Sequence, residues 1–152
     1  MNVKAVTLED DLDKIVANIN ASSWDSANEI SGYTASSLRA YLEREDTIFL
    51  ACYETAWADS ALLGIASSRI EIKPYGKERW LYVDEVDVCA DKRQKGVGKF
   101  IMQKLMEIAK DEGCEEIWLG TEADNRPANA LYRSLNPDDI AKVIGYTYET
   151  DT

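Results

Sequence analysis

The 152-residue chain contains no histidine. A Ser-His-Asp or Cys-His arrangement is therefore excluded, and so is a zinc ion held by imidazole. Any proton transfer falls to carboxylates, tyrosine, lysine, water or the main chain. Cysteine is scarce: Cys52, Cys89 and Cys114 are scattered without metal-type spacing. They read as plain thiols, two of them in strand-like surroundings where cysteine packs as a small hydrophobe, and no metal site is expected. No segment approaches the roughly 20 apolar residues of a membrane span. The N-terminal "MNVKAVTLEDDLDKIV" has no basic stretch leading into an apolar one, so a cytoplasmic protein is expected. Proline-rich, glycine/serine-rich and repeated stretches are also missing, which excludes a solenoid or a long linker. With 45% hydrophobic and 30% charged residues, residues 1–152 are expected to form one folded domain.

Charge of one sign dominates. The net charge of −11 disfavours nucleic acid and anionic membranes as partners and favours a cationic ligand such as a polyamine or an amino sugar. The cations that are present are segregated. Between Asp91 and Lys104 stand Lys92, Arg93, Lys95, Lys99 and Lys104 against one acid, so this stretch carries +4 and the remainder −15.

The periodicity gives a coarse architecture. "VKAV" at Val3–Val6 reads as a strand, and Thr7 with Asp10 resembles a capping box opening a helix that carries Leu8, Leu12, Ile15, Val16 and Ile19 to about Asn20. A second helix is expected over Ala35–Glu45, and the polar stretch between the helices, with Trp24, Asp25, Glu29 and Tyr33, is a candidate substrate wall. Thr47–Glu54 and Ala61–Ile72 predict an antiparallel hairpin, followed by a strand over Arg79–Ala90. From Gly96, Val97, Ile101, Leu105 and Ile108 mark an amphipathic helix ending near Gly113. A strand at Glu115–Thr121, a helix at Asn125–Leu135 with Pro127 in its first turn, and a last strand in "VIGYTYE" complete the order. Strand, helix and strand around the glycines form a βαβ unit.

The cations thus sit where a strand ends and a helix begins, and a helix N-terminus offers unpaired N–H groups and partial positive charge to an anion. Gly96 and Gly98 clear space for a phosphate to approach the backbone. A Walker loop is excluded because Arg93 stands where its first glycine belongs and Phe100 replaces its Ser/Thr. A dinucleotide fingerprint requires glycine at Ile101.

The run Arg93-Gln94-Lys95-Gly96-Val97-Gly98 instead resembles the Q/R-x-x-G-x-G/A motif of the GNAT acetyltransferase superfamily. "NRPANALY" at Asn125–Tyr132 is similar to that family's N-x-x-A-x-x-[LI]-Y helix. The resemblance implies an α/β fold with a mixed, mostly antiparallel twisted sheet, helices on both faces and a central βαβ cofactor unit. It implies acetyl-CoA as cofactor, with pyrophosphate on the N–H groups from Gln94 to Lys99, nearby cations such as Arg93 and Lys95 assisting, and the main chain of Val86, Asp87 and Val88 contacting the pantetheine and the acetyl carbonyl. Asn125 would bind the pantetheine arm and Tyr132 would be the general acid. On a helix, Asn125, Ala128 and Tyr132 share a face at i, i+3 and i+7.

Three acids, Asp84, Glu85 and Asp87, crowd the strand upstream of the loop, and buried carboxylates need partners or a function. Simple alternation puts Asp84 on one face and Glu85 with Asp87 on the other, unless a bulge intervenes. By its distance from the glycine loop, Glu85 matches the carboxylate proposed as base in related aminoglycoside acetyltransferases; Asp87 is second and Asp84 third. "GTEADNRPANALYRSL" followed by "YTYE" is most similar to the aminoglycoside 3-N-acetyltransferase branch. Asp25, Glu29, Asp84, Glu85, Asp138 and Asp139 are the acids available to a polycation. A polyamine, a small amine or a protein amino group on the same scaffold is the competing acceptor, and a noncatalytic acyl-CoA-binding domain is the competing class. The family also implies a homodimer.

Overall fold

Five runs of β-branched and aromatic residues become five strands in the computed structural model, which describes residues 1–25, 30 and 32–151. Two compact units are present, Met1–Leu119 and Gly120–Thr152. In the first, β1 (Asn2–Ala5), β2 (Thr47–Tyr53), β3 (Leu62–Ile72), β4 (Arg79–Val88) and β5 (Glu116–Trp118) lie side by side in that order. The first three pairings are antiparallel and the last is parallel. The expected mixed, mostly antiparallel sheet is thus found. Joining β4 to β5 through α3 (Val97–Asp111) makes the βαβ unit.

Pairing register decides which residues share a face. Phe49 and Ala51 of β2 stand opposite Ser67 and Ile65 of β3. Phe49, Ala51 and Ile65 form one buried cluster with Leu12, Ile15, Val16 and Ile19 of α1 (Leu12–Ala21) and Leu38 of α2 (Ala35–Leu42). The other face carries Leu50, Ala66 and Ile70, and there Gly64 abuts Val97 and Ile101 of α3. Helices therefore cover both faces. Each fully buried Ile or Leu stabilises by about 1.5–3 kcal/mol, and Ile15, Ile19, Leu50, Ile65, Leu81, Ile101 and Leu105 are in that class.

The start of the first helix and the end of the second differ from the sequence reading. Thr7 and Asp10 do bond, N–H to carboxylate at 2.8 Å, but they close a turn. The first helix starts at Leu12, capped by Asp11, whose Oδ1 accepts from the Lys14 N–H at 3.2 Å, and Leu8 stays outside and exposed. The physical cause is competition: a cap acid one residue later satisfies the helix while Asp10 serves the turn and accepts the Trp57 Nε1–H at 3.1 Å. The α2 helix ends at Leu42, short of Glu45, but its start is held by a reciprocal box between Thr34 and Ser37.

The Gly120–Thr152 unit holds α4 (Arg126–Ser134), capped by Asn125 with Pro127 in its first turn as read from the sequence. The last expected strand is not formed: residues 140–151 have no regular secondary structure, and Ile140, Val143, Ile144, Tyr146 and Tyr148 are exposed. The alternation is present in the sequence, but a strand exists only where a neighbour takes its N–H and C=O groups. Among the described residues no strand pairs with this segment.

Candidate active site

One extra residue organises the centre of β4. Val83 pairs with Ser68 and Glu85 with Ser67, which leaves Asp84 as a β-bulge. Before it, Leu81 and Val83 lie opposite Ile70 and Ser68 on the α3 face. Beyond it, Val86 and Val88 continue that face, opposite Ala66 and Gly64, while Glu85 and Asp87 stand opposite Ser67 and Ile65 toward α1 and α2. Simple alternation, which separates Asp84 from Glu85 and Asp87, is therefore corrected. The bulge brings the Asp84 carboxylate to the Glu85 side, where both line one pocket with Ser67.

That pocket has a volume of about 290 Å³. Phe49 forms a buried wall; the Tyr33 ring is tilted against it at 6.0 Å and the Tyr41 ring stands edge-on at 6.3 Å. Tyr41 donates its hydroxyl to the Ser68 carbonyl at 2.9 Å, which fixes the ring. Both phenols are pushed up to about 12. For Tyr33 the cause is burial, then the charges of Glu85 and Asp87; for Tyr41 it is burial, then Asp84. Near neutral pH these hydroxyls remain protonated donors. Asp87 is 8% exposed on the same sheet face and is not part of the pocket lining, whereas Glu85 is open to solvent. Asp84 accepts a hydrogen bond from Arg69, whose Nε donates to Glu71 at 2.7 Å.

At the end of β4 the chain makes a short 3-10 turn at Ala90–Lys92 and enters the glycine loop. Gln94 and Gly96 both take the left-handed conformation, with φ of 63° and 78°. The first i→i−4 bond of α3 runs from the Phe100 N–H to the Gly96 carbonyl at 3.0 Å, and no side chain caps the helix. The N–H groups of Val97, Gly98 and Lys99 therefore precede the helical ladder and carry the positive end of the macrodipole. Lys95 and Lys99 are exposed around them. A diphosphate fits this donor set and this charge. Pairing of β4 with β5 covers only Trp80–Tyr82. From Val83 to Val88 that edge of β4 has no strand neighbour among the described residues, so its main chain can bond an extended ligand.

Gly64 is a positioning residue that the sequence reading missed. A Cβ there would stand 2.8 Å from the Asp87 carbonyl and 2.9 Å from Ile101 Cδ1. Its glycine thus lets α3 and the Asp87 carbonyl of β4 both come close to β3, and an isolated glycine inside a strand pattern is the signal that marks such an approach. Gly64→Ala is expected to cost about 1–3 kcal/mol through overpacking, read as a lower denaturant midpoint. An unchanged midpoint would mean that β4 and α3 yield freely.

The other predicted site residues are distributed unevenly. Arg93 donates to Asp25 at 2.7 Å, so these two pin the loop to the segment after α1. Glu29 lies outside the described residues. Asp138 and Asp139 are exposed in the Gly120–Thr152 unit. There Asn125 Oδ1 accepts the Ala128 N–H at 3.2 Å as the helix cap, and Asn125, Ala128 and Tyr132 are all half-buried. Tyr41, Phe49, Ser67 and Arg69 complete the surroundings of the acids and carry no motif in the sequence. Among the described residues no acid or cysteine cluster is arranged to hold a metal ion, and no helix is long and apolar enough to cross a membrane.

Comparison with known proteins gives a consistent result. The model of the Acetyltransferase (GNAT) family matches residues 14–136. Thialysine N-epsilon-acetyltransferase of Bos taurus is 31% identical over 70 residues, which span 46% of this chain and 41% of that protein. Mycothiol acetyltransferase of Clavibacter michiganensis subsp. michiganensis is 33% identical over 97 residues, 59% of this chain and 31% of that one. The matches thus span less than half the length of these relatives. Among solved structures, an aminoglycoside acetyltransferase from an uncultured soil metagenomic sample, in complex with sisomicin, superposes with a TM-score of 0.80 at 17% identity, over 99% of this chain and 96% of that one. A transcriptional regulator from Bacillus halodurans C-125 superposes with a TM-score of 0.73 at 18% identity, over 97% of this chain and 99% of that one.

Proposed function

The chain belongs to the acetyltransferase (GNAT) family, and on that premise we propose that residues 1–152 form one domain that moves an acetyl group from acetyl-CoA to a primary amine of a cationic acceptor. The observation that carries this reading is the bulged β4: it gives Glu85 to a ring-walled pocket and then runs into the glycine loop.

Bound acetyl-CoA supplies an acetyl group activated as a thioester. The N–H groups from Gln94 to Lys99 hold the pyrophosphate, and Lys95 and Lys99 screen its charge. The open main chain of Val86, Asp87 and Val88 bonds the pantetheine and the acetyl carbonyl, with Asn125 and Ala128 of α4 as further pantetheine contacts. At the acceptor end, an ammonium is not nucleophilic until it loses a proton, and Glu85 is the group placed to take it. Asp87, buried on the same face, strengthens the field that draws the ammonium in. Tyr132, by its place in the N-x-x-A-x-x-L-Y helix, is the proton donor to the departing sulfur.

An aminoglycoside is the acceptor this reading favours. It is a polycation suited to a chain of net charge −11, and sisomicin is the ligand of a fold neighbour. The test is thiol release from acetyl-CoA with gentamicin, kanamycin, spermidine and a lysine peptide in parallel. Release with the aminoglycosides alone supports the narrow reading. Release with spermidine or the peptide keeps the transferase and moves the acceptor. Acetyl-CoA binding without release for any amine supports an acyl-CoA-binding domain.

A further inference from the structure

The two carboxylates lining the pocket are chemically unequal. Asp84 is engaged by the Arg69 guanidinium, which also holds Glu71 at 2.7 Å. Arg69 lies over the Tyr82 ring at 5.2 Å, and Lys73 lies over the same ring at 5.2 Å and meets its hydroxyl at 3.3 Å. Two cations and two acids therefore close on one another around Tyr82, and their net charge is zero. Glu85 stands outside this set, with no ion pair among the described residues. Among the described residues the remaining walls carry no charge: Phe49, Leu38, the rings of Tyr33 and Tyr41, and the neutral Ser37 and Ser67. Ring faces attract an ammonium and also accept hydrocarbon. A volume of about 290 Å³ is at the small end for ligand pockets, which suits one amine-bearing group.

We propose that the pocket selects its acceptor by charge count: it takes a single ammonium on an apolar stem against Glu85 and the aromatic rings, while Arg69, as a positioning residue, withholds Asp84 from a second ammonium. This rests on the reading of the pocket as the acceptor site. A polyamine or an aminoglycoside then presents one amine at a time, with its other charges kept outside.

The experiment compares butylamine with 1,4-diaminobutane, which differ by one ammonium; unlike a longer polyamine, the four-carbon diamine is too short to keep its second charge outside the pocket. Binding to the full chain is measured by calorimetry without acetyl-CoA, and turnover is measured separately. The wild type is expected to bind butylamine at least about fivefold more tightly, because Asp84, the other acid of the described lining, is engaged by Arg69. Arg69→Met keeps much of the stem over Tyr82 and releases Asp84; the preference should reverse by about tenfold in favour of the diamine. Adding Asp84→Asn to that variant should restore the wild-type ratio, an outcome that a merely structural role of Arg69 does not produce. Asp84→Asn alone leaves the set around Tyr82 with one net positive charge, so the preference for butylamine should be kept or strengthened, which keeps the proposal testable if Arg69→Met fails to fold. Equal or tighter binding of the diamine by the wild type overturns the proposal, as does a ratio insensitive to Arg69 or one that Asp84→Asn alone shifts towards the diamine. Thiol release without the single-charge preference overturns the charge count and leaves the transferase reading intact. The preference without thiol release from these two amines or from gentamicin, kanamycin, spermidine and the lysine peptide supports the charge count and overturns the transferase reading.

Discussion

Replacing Glu85 by glutamine is expected to lower turnover about 10²–10⁴-fold, the range for loss of a positioned proton acceptor. Affinity for acetyl-CoA should hardly change, since the glycine loop and α3 lie beyond the substitution. The amide keeps the side chain's shape and is exposed on the Tyr33 side of β4, so the sheet should be undisturbed. A pH profile separates proton removal from mere positioning. Below the acceptor's own pKa, each unit of pH supplies about tenfold more neutral amine from solvent. The gap between wild type and Glu85→Gln should therefore narrow as pH rises. A constant gap would make Glu85 an amine-positioning acid, and full turnover would remove it from the mechanism. Asp87 then becomes the candidate base, because Asp84 is already committed to Arg69.

Tyr132→Phe is the second large effect expected. Only a hydroxyl is removed, and the ring keeps its half-buried place on α4. Turnover should fall about 10²–10⁴-fold with acetyl-CoA affinity nearly unchanged. If the phenol protonates the departing sulfur, the loss should shrink for acyl thioesters whose thiol is more acidic than the ordinary value of about 8.5. A loss that is the same for every thioester would place Tyr132 in packing, and a fully active variant would exclude it as the acid.

Much of this was legible in the sequence because it is local. Periodicity located β2, β3, β4 and α3, and the cation-flanked glycines marked the loop proposed to hold the pyrophosphate. The pocket proposed for the acceptor was only partly legible. Tyr33 fell within the expected substrate wall, but Tyr41, Phe49, Ser67 and Arg69 come from α2, β2 and β3, and only long-range register brings them to Glu85. The bulge is invisible to alternation because it is a change in alternation. The closing "VIGYTYE" shows the opposite failure: its pattern is local and clear, but strand formation depends on a partner.

The single extra residue in β4 also sets a rule for how this protein tolerates change. A strand with a bulge behaves like a text with one letter inserted: everything upstream and downstream can be respelled, but the number of letters must be kept. Apolar substitutions at Leu81 or Val86 alter packing and leave each side chain on its own side. Adding or deleting one residue between Arg79 and Val83 would shift that segment's phase against β3 and exchange its inward and outward sets. Homologous chains that vary the acceptor should accordingly differ in the lettering of β4 and its neighbours while conserving its length, and redesign of the pocket should follow the same constraint.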